Sequence, residues 1–350
     1  MRVIVGMSGG VDSAVTAYLL KMKGYDVVGV TLRIVSNEGE VSRCCEIDDA
    51  RLVCEKLGIP YHVHNCSARF SQCVIDPFIE AYTQGRTPNP CVVCNRRIKW
   101  EELMQAASVL GADYIATGHY AKIEKLPNGR YTVKNAASAK KDQSYMLCRL
   151  SQVQLAKTLM PLGDLTKDEV RKIAEYAGLH VATKAESQDI CFVPDSDYAA
   201  FIEERTGKTF AEGDFVDTEG NVLGQHKGII NYTVGQRKGL GVAAGIPIFV
   251  KEIDAGHNKV VLTNEEDMYA PGCILKDVNY MGLPMPEENA EFDARVKVRY
   301  HHQAIPAKVK REGDRLIVTF SEPVKAVAPG QTGVLYDADG CVLAGGEIDR

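Results

Sequence analysis

The residues able to do chemistry in this chain are concentrated in a few short runs. The first is Ser8-Gly9-Gly10-Val11-Asp12-Ser13, set between an apolar run and an amphipathic stretch that includes Ala14, Val15, Ala17, Tyr18 and Leu19. Two glycines at a turn let backbone amides approach a phosphate without a Cβ in the way, and a helix beginning there adds the positive end of its dipole. Ser8 and Ser13 add hydroxyl donors. The Gly-Lys-Ser/Thr ending of a Walker A loop is absent, and so is Gly-x-Gly-x-x-Gly. Lacking the Walker lysine, the loop suits a pyrophosphate that departs whole. Asp12 is placed to hold a Mg²⁺ against it, since Mg²⁺ binds through one or two carboxylates plus phosphate oxygens. A plain glycine turn in which Ser13 or Asp12 merely caps the helix is the simpler alternative, and it needs fewer of these residues.

Sulfur is the second chemistry. The chain has 11 cysteines, too many to ignore and odd in number. Cys91-Val92-Val93-Cys94 follows Pro88 and Pro90, which force extended entry, and precedes Asn95, Arg96, Arg97 and Lys99. A thiol beside cations, at the start of a helix containing Trp100, has its thiolate stabilised, and thiolate is the nucleophile. Half of a zinc site and a thioredoxin-like motif are the other readings of one CxxC; no second CxxC accompanies it. Cys191 lies in a polar loop with Glu186, Ser187 and Gln188, a poor setting for a core cysteine. Cys54, Cys66, Cys73, Cys148, Cys273 and Cys341 mostly sit in apolar or strand contexts, as do Cys44 and Cys45, the adjacent pair least easily dismissed.

Positioning such residues requires alternating strands and helices. Strands are expected at Arg2 to Met7, Asp26 to Arg33, Tyr61 to Asn65 and Tyr114 to Thr117. Helices are expected at Ser13 to Lys23, Glu46 to Leu57, from about Asp76, and at Ile98 to Leu110. Helical spans between strands imply βαβ units, a parallel sheet covered on both faces, and a ligand crevice at the strand carboxyl ends. Thr166 and Glu169 form a capping box for a helix to Ala177, with Gly178 as its stop. From Gly213 the pattern turns to short β runs, and after Pro271 to the turn spacing of a small barrel or sandwich. Asp339-Gly340 marks a hairpin. The expected division is 1–196 as an α/β catalytic unit, 197–270 as a small β-rich central domain and 271–350 as a C-terminal β-barrel.

Five runs occur in order: the loop at 8–13, Thr87 to Asn95, Ala116 to Ala121, Lys141 to Leu147 and Ser187 to Phe192. The first resembles the motif of the PP-loop ATP pyrophosphatases, and all five together resemble the bacterial tRNA-specific 2-thiouridylases over essentially the whole chain. The resemblance implies an α/β fold with a parallel-sheet PP-loop domain of the adenine nucleotide alpha hydrolase-like kind. It implies ATP bound by Gly6, Met7, Ser8, Gly9, Gly10, Val11, Asp12, Ser13, Leu32 and Gly118. Cys94 would be the nucleophile and Cys191 the carrier of an incoming persulfide, the two closing a disulfide as sulfur leaves. Contacts to tRNA would come from Asn89, Pro90, Cys91, His119, Lys141, Asp142, Gln143, Arg299, Tyr300 and Gln331. The implied reaction is 2-thiolation of the wobble uridine by adenylation of its C2 oxygen, with a cysteine desulfurase or sulfur-relay protein as persulfide donor. Many members carry Asp where this chain has Cys91, which admits a second reading: Cys91, Cys94 and Cys191 ligating three irons of a [4Fe–4S] cluster. Other PP-loop ligases, and a non-enzymatic RNA-binding scaffold, remain as alternatives.

Composition narrows the classes. Charged residues make up 25% and hydrophobic residues 45%, with a net charge of −5. That excludes a uniformly basic nucleic-acid coat and leaves a local basic patch open. Residues 291–311 hold six cations against two acids. Arg295, Lys297, Arg299 and His301 alternate with apolar residues, which predicts one basic strand face reinforced by Lys308, Lys310 and Arg311. Lys140 and the run Gln236-Arg237-Lys238 are further candidates. No apolar run spans a bilayer and no signal-peptide pattern is present, so a cytoplasmic location without membrane contact is expected.

Overall fold

The protein is described from a computed structural model covering residues 1–34, 47–184, 190–193, 197–243 and 245–349. The reading of Cys44, Cys45, Glu186, Ser187 and Gln188 falls outside the described residues. Five parallel strands form the first sheet: β1 (Arg2–Gly6), β2 (Asp26–Arg33), β3 (Tyr61–Asn65), β4 (Tyr114–Ala116) and, after a β5–β6 hairpin (Lys122–Lys125 and Tyr131–Lys134), β7 (Thr158–Leu159). Their order is β3-β2-β1-β4-β7. Both faces are covered. Ile4, Val28 and Val30 pack with Ile98, Trp100 and Leu103, while Val3, Val5 and Val27 pack with Val11, Ala14, Val15 and Val170. Alternate residues of one strand thus feed two cores, as a sheet period of two dictates.

The strand order reverses between β1 and β4, so the loops leaving those two strands diverge and open a crevice. The phosphate-type loop leaves β1 and the Thr117–His119 turn leaves β4. The helix expected from Ile98 starts earlier: helical backbone runs from Pro90–Cys94 through a wide π-type turn at Asn95–Trp100 into Glu101–Val109. Such wide turns frequently occur at functional sites. Trp100 is fully buried beneath this turn, its Nε1 donating to Thr158 Oγ1 at 2.8 Å. The capping box at Thr166 is formed in both directions.

Beyond residue 197 the sequence pattern hid a helix, Tyr198–Thr206, capped by Asp197 (Ala200 N–H to Oδ1, 3.0 Å) and stopped by Gly207 at φ +64°. Its apolar residues, Tyr198 to Ile202, are consecutive rather than spaced at three and four, so no helical stripe announces it. Four strands follow: β8 (Gly213–Val216), β9 (Val222–His226), β10 (Phe249–Asp254) and β11 (Lys259–Thr263), ordered β10-β11-β8-β9. The described residues of the glycine-rich run 233–247 form turns rather than the expected β structure. Six more strands close the barrel: β12 (Tyr269–Tyr280), β13 (Glu291–Lys297), β14 (Ile305–Glu312), β15 (Arg315–Lys325), β16 (Thr332–Tyr336) and β17 (Val342–Asp349). Asp339-Gly340 makes the β16–β17 turn, with Gly340 at φ +80°. Among the described residues no helix is long and apolar enough to cross a membrane.

Candidate active site

The loop after β1 is built to face an anion. Gly10 is the N-cap of the helix Val11–Met22 and no side chain caps it, so the first-turn amides keep their donors for a ligand. Ser8 N–H donates to Ser13 Oγ at 3.2 Å, the two hydroxyls lie 3.2 Å apart, and Ser13 Oγ donates to Gly10 O at 3.0 Å. Gly9 has φ +77°, a left-handed conformation that favours glycine. Across the crevice Gly118 comes so close that an added Cβ would lie 2.8 Å from the backbone of Asp12 and Ser13.

Asp12 does not cap the helix. Its two carboxylate oxygens each accept from Lys167 Nζ at 2.8 Å, and Oδ1 accepts from Tyr120 Oη at 2.7 Å. Lys184 Nζ donates to Gly9 O at 3.2 Å and pairs with Asp49. Two cations from distant sequence therefore stand at a loop that carries none of its own.

One cavity of about 290 Å³ joins this loop to the thiols. Ser8, Asp12, Ser13, Leu32, Gly118 and His119 line one part, and Pro90, Cys91, Cys94, Cys191 and Phe192 another. Asn89 caps the cysteine helix (Val92 N–H to Oδ1, 3.4 Å) and Pro90 occupies its first turn, which sets Cys91 and Cys94 one turn apart. Cys91 is exposed, whereas Cys94 is 8% exposed. The segment before them is braced by the barrel: Thr87 N–H donates to Pro329 O at 2.9 Å, and Gln331 Nε2 donates to Thr87 O at 3.0 Å and Pro88 O at 3.2 Å. Cys191 is positioned by its neighbour Phe192, whose ring meets Phe70, Phe78 and Phe201 at 5.6, 5.3 and 5.4 Å.

Burial identifies thiols that take no part in chemistry. Burial pushes the thiols of Cys54, Cys148 and Cys273 up to about 12, and that of Cys341 to about 11 with help from Asp337, so these four stay protonated packing groups. Burial, with Lys99 nearby, holds His119 well below the ordinary imidazole value. Its Nδ1 lies 2.9 Å from Thr117 Oγ1, and the neutral ring stands 5.4 Å from that of Trp100.

A second, polar cleft of about 740 Å³ opens between the 135–142 loop and the barrel, lined by Lys140, Asp142, Arg295, Lys297, Tyr300, His301 and His302 among others. Lys297 Nζ lies over the rings of Tyr300 at 5.4 Å and Tyr145 at 5.8 Å. Burial depresses the Lys297 ammonium, and burial together with Arg299, Lys297 and His301 depresses His302.

Three family models cover the chain: a tRNA methyl transferase HUP domain over residues 1–195, a tRNA methyl transferase PRC-barrel domain over 199–264, and an aminomethyltransferase beta-barrel domain over 270–348. The tRNA-specific 2-thiouridylase MnmA of Lachnoclostridium phytofermentans is 51% identical over 356 residues, spanning 99% of this chain and 99% of that protein. The MnmA of Clostridioides difficile is 47% identical across 100% of this chain and 98% of its own. The chain belongs to the tRNA-specific 2-thiouridylase family.

As a 2-thiouridylase-family chain it gathers most of the residues expected from sequence. Gly6, Met7, Ser8, Asp12, Ser13, Leu32, Gly118, His119, Gln143, Pro90, Cys91, Cys94 and Cys191 share one cavity. Gly9 and Gly10 complete the loop, while the Val11 side chain is buried in the core. Asn89 acts on the helix start, and Asp142 accepts from Ala136 N–H at 2.9 Å and Ser144 Oγ at 2.7 Å. Lys141 is half-buried and lines neither cavity. Two expected tRNA contacts have structural partners: Gln331 holds the Thr87-Pro88 backbone, and Arg299 donates to Ala326 O at 3.0 Å and Val234 O at 2.8 Å.

The expected basic strand face is shorter than its alternation implied. β13 ends at Lys297, and Arg299 and His301 lie in the following turn. Lys308, Lys310 and Arg311 are matched by Asp293 at 3.1 Å, Glu312 at 2.7 Å and Glu288 at 3.8 Å. Cys91, Cys94 and Cys191 line one cavity, and among the described residues no group of three or more His, Cys, Asp or Glu side chains is gathered closely enough to hold a metal ion. Lys167 was missed, though it left a trace. A lysine in the first turn of a capped helix opposes the dipole, and such local violations mark residues held for another purpose.

Proposed function

We propose that this chain is an ATP-dependent tRNA-uridine 2-sulfurtransferase acting on the wobble position of the anticodon. One observation carries the reading: the phosphate-type loop at 8–13, Cys94 and Cys191 line a single cavity, although 178 residues separate Cys191 from Ser13. The matched modules have descriptions drawn from methyl transferases; the full-length relatives and the thiol-lined cavity both favour sulfur transfer.

A C2 carbonyl of uridine is amide-like, with a poor leaving oxygen. ATP bound by the loop amides, Ser8 and Ser13, with its base against Leu32, presents its α-phosphate to that oxygen. The oxygen displaces pyrophosphate and becomes an adenylate. Lys167 and Lys184 offset the charge that develops at the loop. Asp12 lines the cavity and is the carboxylate that would hold a Mg²⁺ bound mainly by phosphate oxygens, sharing its oxygens with Lys167 and Tyr120; the ion would neutralise phosphate charge. The terminal sulfur of a Cys191 persulfide attacks C2 and AMP leaves. Cys94 thiolate then attacks Cys191 Sγ, forming the Cys94–Cys191 bond and releasing sulfur with the base. The persulfide comes from a cysteine desulfurase or a sulfur-relay protein. A target base must leave its stack to enter such a cavity, and the anticodon loop is single-stranded.

In this division of labour residues 1–196 hold the chemistry and 271–350 receive RNA, with Lys297, Tyr300, Arg295 and His301 meeting the backbone in the polar cleft. Cys94→Ser and Cys191→Ser should each abolish 2-thiouridine formation while ATP binding, followed by calorimetry, survives. Full thiolation by either variant refutes the assignment.

A further inference from the structure

Resting on that sulfur-transfer reading, the geometry points to a function for Cys91: we propose that it is a resolving thiol, which moves the oxidising equivalents of each turnover from a buried disulfide to an accessible one. Three facts combine. Cys91 and Cys94 sit one helical turn apart on Pro90–Cys94, and side chains at i and i+3 share a helix face about 5–6 Å apart at Cβ. That spacing is close enough for a disulfide after a small adjustment of the turn. The two cysteines differ sharply in access, Cys91 being exposed and Cys94 buried, with Cys191 half-buried beside the anchoring Phe192. All three line the same cavity.

A disulfide left between Cys94 and Cys191 keeps its Cys94 sulfur buried in that cavity, where a bulky protein dithiol cannot attack it in line with the S–S axis. Cys91 reaches it without leaving its helix. Its thiolate attacks Cys94 Sγ; the Cys91–Cys94 bond forms, the Cys94–Cys191 bond breaks, and the electron pair goes to Cys191 Sγ. The exchange needs no outside oxidant or reductant. It regenerates Cys191 as the thiolate that accepts the next persulfide, and it presents Cys91 Sγ at the surface, where an external thiol or protein dithiol completes the reduction. Pro90 and the Asn89 cap keep the first helical turn in register, so the two sulfurs meet at little entropic cost.

The test uses the full chain with Cys191 loaded by a cysteine desulfurase and cysteine, then freed of small thiols. ATP, Mg²⁺ and unmodified tRNA are added, and the reaction is quenched in acid, alkylated with N-ethylmaleimide and mapped by peptide mass spectrometry. After turnover the unmodified chain should show Cys91 joined to Cys94 and Cys191 alkylated. Cys91→Ser and Cys91→Ala should instead show Cys94 joined to Cys191. With a protein dithiol as reductant these variants should stall after one product per chain, and dithiothreitol should restore turnover. A Cys94–Cys191 bond in the unmodified chain, with Cys91 alkylated, overturns the proposal while leaving the sulfur-transfer reading intact. Thiolation with no Cys94–Cys191 bond in any variant overturns that reading itself.

Discussion

Gly118→Ala isolates the contact on which the crevice depends. Its φ is not in the left-handed region, so alanine brings no backbone strain, and the added methyl is the whole perturbation. That Cβ would lie 2.8 Å from Asp12 C and Ser13 N and 3.0 Å from Asp12 Cβ. Carbon contacts are optimal near 3.5–4.0 Å, so the loop and the β4 turn must separate by roughly 0.7 Å or more. The obstructing atoms are backbone at the start of a buried helix and have no rotamer to escape into. Overpacking of this kind costs about 1–3 kcal/mol. Borne by the nucleotide loop, it corresponds to an ATP affinity loss of about 5- to 150-fold. The thermal midpoint should fall by about 2–10 °C, at the few degrees per kcal/mol typical of a domain this size. Isothermal titration with ATP and a thermal melt read the two effects. Gly256→Ala, whose Cβ meets only Asp254 Oδ1 at 3.5 Å, is the matched control and should change neither. An ATP affinity within twofold of the parent, with an unshifted melt, would show that the β1 and β4 loops are not in the close contact described.

Three other outcomes are expected. Lys167→Met removes the ammonium from a carboxylate that is one-third exposed, so denaturant titration should show a loss of roughly 1–3 kcal/mol, and a cycle with Asp12→Asn should reveal coupling of about 1 kcal/mol or more. Additive effects would mean that the pair contributes nothing. His119 is held neutral, its folded pKa lying below the ordinary 6.5, so the unfolded chain binds the extra proton first as pH falls. Stability should be unaffected above about pH 6.5 and should decline by up to about 1.4 kcal/mol per pH unit below it, until the folded pKa is reached. His119→Gln should flatten that part of the urea-midpoint profile; an identical profile removes His119 as its cause. In a salt series of tRNA affinity, Arg295→Gln and Lys297→Gln should each reduce the log–log slope by roughly one, whereas Lys308→Gln, paired with Asp293, should leave it nearly unchanged. Equal effects at all three would return the interface to the outer strand face.

What the sequence determined by itself is local: β2 at Asp26–Arg33, β3 at Tyr61–Asn65, the Thr166–Glu169 capping box and the Asp339-Gly340 turn all follow from periodicity and backbone chemistry within a few residues. The glycine loop after β1 was legible for the same reason, because its conformation depends on its own missing side chains. Where the chain was misread, the deciding partner lay far away. Arg299 looked like part of a basic stripe until Ala326 and Val234 supplied carbonyls, and Lys308 and Arg311 looked free until Asp293 and Glu288 were seen beside them. Only the tertiary structure brought Lys167 to Asp12 across 155 residues, set Cys191 in the same cavity as Cys94, and used the barrel to brace the cysteine turn. Periodicity reports which face a residue presents but carries no information about what that face meets, and charge and thiol chemistry are decided by what it meets.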